Sequence, residues 1–210
     1  MRESRPLRTL EDLERAVRAV ATEFNTDRVF IIGSQSILLA WPDAPALMRT
    51  SPEIDLYPDN AKAWEAEERK KHPGESPEAS EQIDALFGSG SQFHRTHGFY
   101  IDGVDENTAT LPAGWQERAV VRQIDVRGRI VSAIAPCPDD LIVSKLARLD
   151  EKDRGFIEAY YSQQALDLGM IEERIRLSNF ERAIAQRAQD YIRDLARKVA
   201  HSGATRDGTL

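Results

Sequence analysis

Two acidic residues one position apart are the first candidates for chemistry in this chain. Glu53 and Asp55 stand in the segment Pro52-Glu53-Ile54-Asp55-Leu56-Tyr57. Side chains of a strand point to one face at every second residue, so the two carboxylates should lie side by side. They repel each other unless a cation lies between them, and the usual cation is a divalent metal. Earlier in the chain, Gly33-Ser34 ends an apolar strand and opens a helix, which is backbone of the kind that cradles a phosphate. The pattern predicts metal and phosphate together.

A third carboxylate is needed if two metal ions are to be held. Asp102, at the end of the strand-like segment Phe99-Tyr100-Ile101, is the best placed candidate, and Asp125 is the alternative. An ordinary turn acid before Gly103 explains Asp102 equally well. We therefore predict Asp102 as the third acid and keep Asp125 open.

A lysine and an aspartate in the carboxy-terminal part of the chain form a second candidate group. Lys145 falls within the apolar stripe of a predicted helix, so its stem should pack on the core while its ammonium reaches a cleft and holds a phosphate. The alternative is a surface lysine at the margin of the stripe. Asp153 would lie about 12 Å further along an unbroken helix, beyond pairing distance. A break near Asp150 would let the two side chains converge.

Composition and charge limit the classes of function. The chain has 210 residues, 41% of them hydrophobic, which suits one sizeable core. Its net charge of −7 disfavours indiscriminate binding to nucleic acid or to anionic membranes. The single cysteine, Cys137, excludes an intrachain disulfide framework. No apolar segment approaches the length that spans a bilayer, so we expect a soluble, cytoplasmic protein with no membrane partner.

The periodicity of apolar residues predicts an α/β (α+β) fold with a mixed central sheet flanked by helices. Thr9 and Asp12 predict a capped helix to about Glu23, and strands are expected at about 29–32, 53–57, 99–102, 119–126 and 129–134. Later helices are expected at about 138–149, 151–166, 170–177 and 180–200. The predicted organisation is a core over 1–135, a helical carboxy-terminal region over 136–200 and a disordered tail over 201–210.

Taken together, these segments resemble the nucleotidyltransferase superfamily. Gly33-Ser34, followed by Arg49-Thr50-Ser51 and Glu53-Ile54-Asp55, resembles its glycine-serine and paired-acid signature. The run from Pro138 to Leu146, closed by Lys152-Asp153, is similar to bacterial families related to AbiE-type toxins. Tyr100-Ile101-Asp102 and Leu111-Pro112-Ala113-Gly114-Trp115 resemble one little-characterised branch of that group. The resemblance covers roughly residues 28–160.

The resemblance implies a nucleotidyltransferase fold and a role for each candidate residue. Gly33, Ser34 and the neighbouring backbone would hold nucleotide phosphate, and Glu53 and Asp55 would hold Mg²⁺ or Mn²⁺ with Asp102 as third ligand or base. Lys145 would steady the triphosphate, and Asp153 would orient Lys145 or the acceptor. The chain departs from the pattern in having Glu53 where the first aspartate is usual.

The leading hypothesis is a metal-dependent nucleotidyltransferase. It would move a nucleoside monophosphate from a nucleoside triphosphate to an acceptor, a tRNA end or a protein hydroxyl, and the resembling families include toxins of toxin–antitoxin pairs. The departure at Glu53 supports an alternative, an inactive binding module of the same fold that acts through a protein partner such as a cognate antitoxin. A third reading is a globular protein whose acids all lie at the surface. The arginines after residue 170 alternate with acids and are interpreted as a solvated helix face.

Overall fold

The computed structural model of the protein describes residues 6–204, with side chains up to residue 199. In this range the chain forms five strands: β1 Arg28–Ile32, β2 Glu53–Pro58, β3 Tyr100–Gly103, β4 Val120–Val126 and β5 Arg129–Ala135. It also forms nine α-helices: α1 Leu10–Glu23, α2 Ile37–Ala40, α3 Ala61–Lys71, α4 Ala79–Phe87, α5 Gln92–His97, α6 Pro138–Arg148, α7 Glu151–Tyr161, α8 Leu168–Leu177 and α9 Arg182–Ala204. The predicted fold class is confirmed.

The five strands form one mixed sheet in the order β3-β2-β1-β5-β4. Strand β1 is antiparallel to β2 and parallel to β5, while β2 and β3 are parallel to each other. Strands β4 and β5 form the predicted antiparallel hairpin. In the β1–β2 register Ile32 faces Asp55, so the carboxyl end of β1 lies beside the acidic segment of β2.

Helix α1 begins with the capping box that the sequence predicts. The Thr9 hydroxyl accepts a hydrogen bond from the Asp12 amide at 3.2 Å, and the Thr9 amide donates to the Asp12 carboxylate at 3.0 Å. The helix then buries Leu13, Val17 and Val20 on one stripe. A cap of this kind stabilises the helix by about 0.5–2 kcal/mol.

The segment after β1 differs from the predicted helix. Ser34–Ser36 form a 3-10 turn, and α2 has only four residues. Gly33 holds the cap position before this turn, and no side-chain capping bond is formed there. The turn is closed instead by Ser36, whose hydroxyl donates to the Gly33 carbonyl at 2.7 Å. Ser34 therefore starts a tight turn, rather than the α-helix that the sequence predicts at this point.

Two further elements differ from the prediction. Helix α5 is not predicted from the sequence; Ser91 caps it, since its hydroxyl accepts from the His94 amide at 3.1 Å. Helix α7 ends at Tyr161 rather than near 166, because the amides of Gln163 and Gln164 fold back on the Tyr160 carbonyl and form a turn.

The chain divides into two compact units. The first unit contains the sheet and comprises residues up to Ala109 together with Gln116–Cys137. The second unit comprises Thr110–Trp115 and the helices from Pro138 onward. Helix α9 includes residues 201–204 of the predicted tail, and 205–210 lie outside the described residues. None of the described helices is long and apolar enough to cross a membrane.

Candidate functional site

The acidic candidates of the first unit lie on one face of the sheet. Glu53 and Asp55 alternate along β2 with the fully buried Ile54. Strand β3 continues the same face, since Glu53 is in register with Tyr100 and Asp55 with Asp102. Neighbouring side chains in register project to the same side of a sheet. The structure therefore brings Glu53, Asp55 and Asp102 onto one face, as the sequence pattern predicts.

Gly33 adjoins the Asp55 carboxylate directly. Its backbone has φ +69°, and a Cβ at this position would lie 1.6 Å from Oδ2 of Asp55. No side chain fits there, so the carboxylate packs against bare backbone. The arrangement places Gly33, and with it the turn that starts at Ser34, beside Asp55 at the end of β1.

Two hydroxyl groups hold the Glu53 carboxylate. The Ser51 hydroxyl donates to Oε1 of Glu53 at 2.5 Å, and the Tyr100 hydroxyl donates to Oε2 at 3.3 Å. Ser51 is buried, which restrains its hydroxyl. Sequence reasoning did not assign either residue to the site. The position of Tyr100, two residues before Asp102 on a strand, is the signal that places it on the acidic face.

The sheet order separates the two candidates for the third acid. Asp102 lies in the strand next to Asp55. Asp125 lies on β4, three strand spacings or about 14 Å from β2, and its Oδ1 accepts from the Gly128 amide in the hairpin turn. Burial raises the pKa of Asp102, and the nearby carboxylates of Asp84 and Glu53 raise it further.

The donor atoms of this face suit a hard cation. Within residues 6–204 no three or more His, Cys, Asp or Glu side chains form a group that could hold a metal by themselves. A pair of carboxylates is nevertheless a usual protein contribution to a magnesium site, because the remaining ligands are water and substrate phosphate. Glu53 and Asp55 offer such a pair beside the turn that follows Gly33.

In the second unit, Lys145 and Asp153 form a buried ion pair. Nζ of Lys145 lies 3.1 Å from Oδ1 of Asp153, and the two side chains are 3% and 0% exposed. The break that this requires is present, because Leu149 adopts φ 57° and Asp150 caps α7. The ammonium also lies 4.4 Å from the centre of the Phe156 ring. The expected convergence is confirmed, whereas phosphate binding by Lys145 stays a prediction.

Arg148 is a third member of this group that the sequence reasoning missed. Its Nε and Nη2 donate to Oδ2 and Oδ1 of Asp153 at 3.0 and 3.1 Å. Burial raises the pKa of Asp153, but the bonds from Arg148 and Lys145 outweigh burial and hold the pKa below its ordinary value. Burial lowers the pKa of the Lys145 ammonium, and the Asp153 charge opposes that shift. Asp153 thus fixes two cationic groups at once.

The family model of a nucleotidyltransferase of unknown function (DUF6036) matches residues 8–194. The chain belongs to this family. The match covers the acidic face, the turn after Gly33 and the Lys145–Asp153 pair alike. The predicted superfamily is therefore confirmed, and the protein is a nucleotidyltransferase by family. No curated protein and no solved structure matches the chain.

Several of the carboxy-terminal arginines pair with a carboxylate or donate to a carbonyl oxygen. Arg174 pairs with Asp140, and Arg193 lies 2.6 Å from Glu172. Arg187 donates to the Ala147 carbonyl at 2.7 Å. Such pairing reduces the positive charge available to nucleic acid. The Arg174–Asp140 pair is largely buried, with side chains 18% and 0% exposed, and is therefore not part of a solvated helix face.

Proposed function

We propose that this protein transfers a nucleoside monophosphate from a nucleoside triphosphate to an acceptor hydroxyl and releases pyrophosphate, with Mg²⁺ or Mn²⁺ bound. Membership of the family supports a transferase in general. One observation carries the finer proposal. The Asp55 carboxylate lies against Gly33, on the same face of the sheet as Glu53 and Asp102, and Asp102 is its neighbour in register on β3. Carboxylates beside a backbone turn form a place where a metal-bound phosphate fits.

Glu53 and Asp55 are the proposed metal ligands. The metal would act as a Lewis acid that stabilises the charge developing on the α-phosphate. The hydroxyls of Ser51 and Tyr100 restrain Glu53, which is one methylene longer than the usual aspartate. Their bonds would fix the longer side chain in one orientation.

The chain's own residues would bind the nucleotide and move the proton. The backbone at Gly33 and Ser34 and the Ser34 hydroxyl would bind a phosphate oxygen beside Asp55. As the acceptor oxygen forms its bond to the α-phosphorus, the bond from that phosphorus to the pyrophosphate oxygen breaks. Asp102 would take the acceptor's proton, since a carboxylate of raised pKa is the better base near neutral pH.

In the second unit, Lys145 is proposed to steady the triphosphate and Asp153 to orient Lys145. The 3.1 Å ion pair supports the orienting role of Asp153. Lys145 is assigned to phosphate by the resemblance of its segment to related families.

Two acceptors are proposed, the end of a tRNA and a protein hydroxyl. Modification of either one would be the action of the protein as a toxin. The pairing of Arg193 with Glu172 and of Arg174 with Asp140 favours the protein hydroxyl. Binding to tRNA that weakens steeply between 50 and 200 mM salt would instead support the RNA acceptor, because phosphate contacts release counterions.

One observation favours the second candidate function, an inactive module that binds a protein partner. Both carboxylate oxygens of Glu53 already accept hydroxyl hydrogen bonds. If these bonds serve only the fold, Glu53 does not bind a metal ion, and Asp55 lacks the second carboxylate of a metal site. This module would bind a cognate antitoxin and would not need magnesium.

Calorimetry with a non-hydrolysable triphosphate, with and without magnesium, separates the two functions. The transferase reading predicts binding that requires magnesium and that Asp55→Asn weakens at least tenfold. Asp125→Asn is the matched control, because it removes an exposed carboxylate of the same sheet and keeps an acceptor for Gly128. Absence of nucleotide binding together with tight binding to the product of a neighbouring gene would support the module instead.

A further inference from the structure

A cavity of about 460 Å³ lies in the first unit beyond the carboxyl ends of β2 and β3. Phe30, Tyr57 and Val104 form part of its lining. Tyr57 is in register with Phe30, and the Val104 amide donates to the Leu56 carbonyl, so these side chains extend across β1, β2 and the end of β3. Glu53, Asp55 and Asp102 are not part of the lining. The cavity is therefore distinct from the acidic site.

Tyr57 presents an unused hydroxyl to this cavity. The side chain is 7% exposed, and its ring stacks on Phe30 with centroids 4.9 Å apart and planes at 14°. Its hydroxyl has no hydrogen-bond partner among the residues that the structure describes. The hydroxyl oxygen is not among the fully buried polar atoms without a partner, so it is accessible from the cavity that Tyr57 lines. A polar atom of a ligand in the cavity can bond to it there.

The charged lining indicates the sign of that ligand. The lining contains two cationic side chains, Lys62 and Arg69, and five carboxylates, a formal charge of −3; the carboxylates are Asp59, Glu65, Glu78, Asp105 and Glu106. Arg28, outside the lining, pairs with Asp59 at 3.4 Å and reduces this charge to −2. Lys62 is already paired with Glu106 at 2.5 Å on the exposed rim. Phosphates and other anions are therefore disfavoured, and cations are attracted.

The volume of the cavity and the apolar part of its lining fit an organic molecule better than a bare metal ion. Cavities of 300–1,000 Å³ are typical for small organic ligands. The aromatic pair and the side chains of Pro58, Ala61 and Val104 offer apolar surface to a carbon skeleton. An ammonium group can approach aromatic rings and carboxylates together.

We propose that this cavity binds an organic amine with an apolar skeleton. Its ammonium group donates to the Tyr57 hydroxyl oxygen and lies among the carboxylates, while the carbon skeleton packs on Val104 and the neighbouring apolar side chains. Asp105 contributes charge from a fixed loop, because its Oδ1 accepts from the Asn107 amide at 2.8 Å and from the Thr108 hydroxyl at 3.0 Å. This binding site is independent of nucleotidyl transfer.

Calorimetric titration of the full chain with 4-phenylbutylamine tests the proposal, with 4-phenylbutan-1-ol as the uncharged counterpart. The amine is expected to bind with one-to-one stoichiometry and the alcohol at least about tenfold more weakly, since hydrogen bonds to a charged group are the stronger ones. Failure of the amine to bind, or equal affinity for the two compounds, overturns the proposal.

Two substitutions localise the binding. Tyr57→Phe keeps the ring that stacks on Phe30, and Asp105→Asn keeps an acceptor for the loop, so both variants should melt close to the wild type. Each is expected to weaken the amine about tenfold. Glu173→Gln removes an exposed carboxylate of the second unit and should change nothing. If all three variants bind like the wild type, the amine is a nonspecific counterion and the proposal is wrong.

Discussion

Replacing Gly33 with alanine perturbs the contact on which the proposed site depends. Ordinary van der Waals contact begins at 3.4 Å, whereas the new Cβ would lie 1.6 Å from Oδ2 of Asp55, so the carboxylate would have to retreat by about 1.8 Å. A displacement of about 1 Å in a reacting group can cost about 100-fold in rate. We therefore expect magnesium-dependent nucleotide transfer to fall at least about 100-fold.

The same substitution also strains the backbone. Gly33 has φ +69° and ψ −169°, a region that only glycine adopts readily, and other residues pay of order 1–3 kcal/mol there. Urea denaturation should show this loss in the free energy of unfolding. Gly128→Ala is the matched control, because Gly128 also has a positive φ, +85°, but no atom within 4 Å of the added Cβ. That variant should lose stability and keep activity.

A double-mutant cycle with Asp55→Ala isolates the clash. In the Asp55→Ala background, Gly33→Ala should cost only the backbone strain, because the carboxylate that it displaces is absent. Stability of the four proteins is measured by urea denaturation, and activity of the two that retain Asp55 by transfer of labelled nucleotide. Near-normal activity in Gly33→Ala would show that transfer does not depend on the position of the Asp55 carboxylate.

Three further predictions concern the two groups of polar residues. Asp153→Asn should lower the free energy of unfolding, measured by urea denaturation, by about 3 kcal/mol, because it leaves the buried Lys145 ammonium without its counterion. Arg148→Ala should lower it by less than about 1 kcal/mol, because the Arg148 side chain is 69% exposed. The pKa of Asp153 is depressed in the folded protein, so its contribution is complete above the unfolded pKa of about 3.9 and is lost as pH falls through the folded value. The stability difference between wild type and Asp153→Asn should therefore be constant from pH 5 to 7 and shrink below about pH 4; a difference that grows in acid would contradict this sign. Ser51→Ala removes the 2.5 Å bond to Glu53 and should raise the magnesium concentration needed for half-maximal transfer several-fold while leaving the fold intact, and an unchanged magnesium dependence would count against Glu53 as a ligand.

The sequence was sufficient for features that depend on local periodicity. Alternation in β2 placed Glu53 and Asp55 on one face, and the Thr9 capping box located the start of α1. The charged run at Asp150 permitted the break between α6 and α7, and the break is there. Each of these features is decided by residues within a few positions of one another.

Features that depend on strand order could not be read from the sequence. The choice between Asp102 and Asp125 follows from the sheet order, which places β3 beside β2 and β4 at the far edge. The bond between Tyr100 and Glu53 likewise joins residues 47 positions apart. No spacing rule reports such contacts, because they depend on how distant strands pair.

The prediction for the segment after β1 was wrong for a different reason. Glycine followed by serine fits both a helix start and a tight turn, and local propensity does not distinguish the two. The Ser36 hydroxyl, which bonds the Gly33 carbonyl, favours the turn. Arg148 was missed because nothing in the sequence distinguishes it from an ordinary surface arginine. Its side chain is indeed 69% exposed, and only the structure places it beside Asp153.

Nucleotidyl transfer by this protein is tested most directly by transfer of label from α-phosphate-labelled nucleoside triphosphates to protein and tRNA acceptors in the presence of magnesium. We expect that the wild type labels an acceptor, that removal of magnesium abolishes labelling, and that Asp55→Asn reduces it about 100-fold or more. Equal labelling by wild type and Asp55→Asn would contradict the central claim that Asp55, packed against Gly33, holds the metal for nucleotidyl transfer.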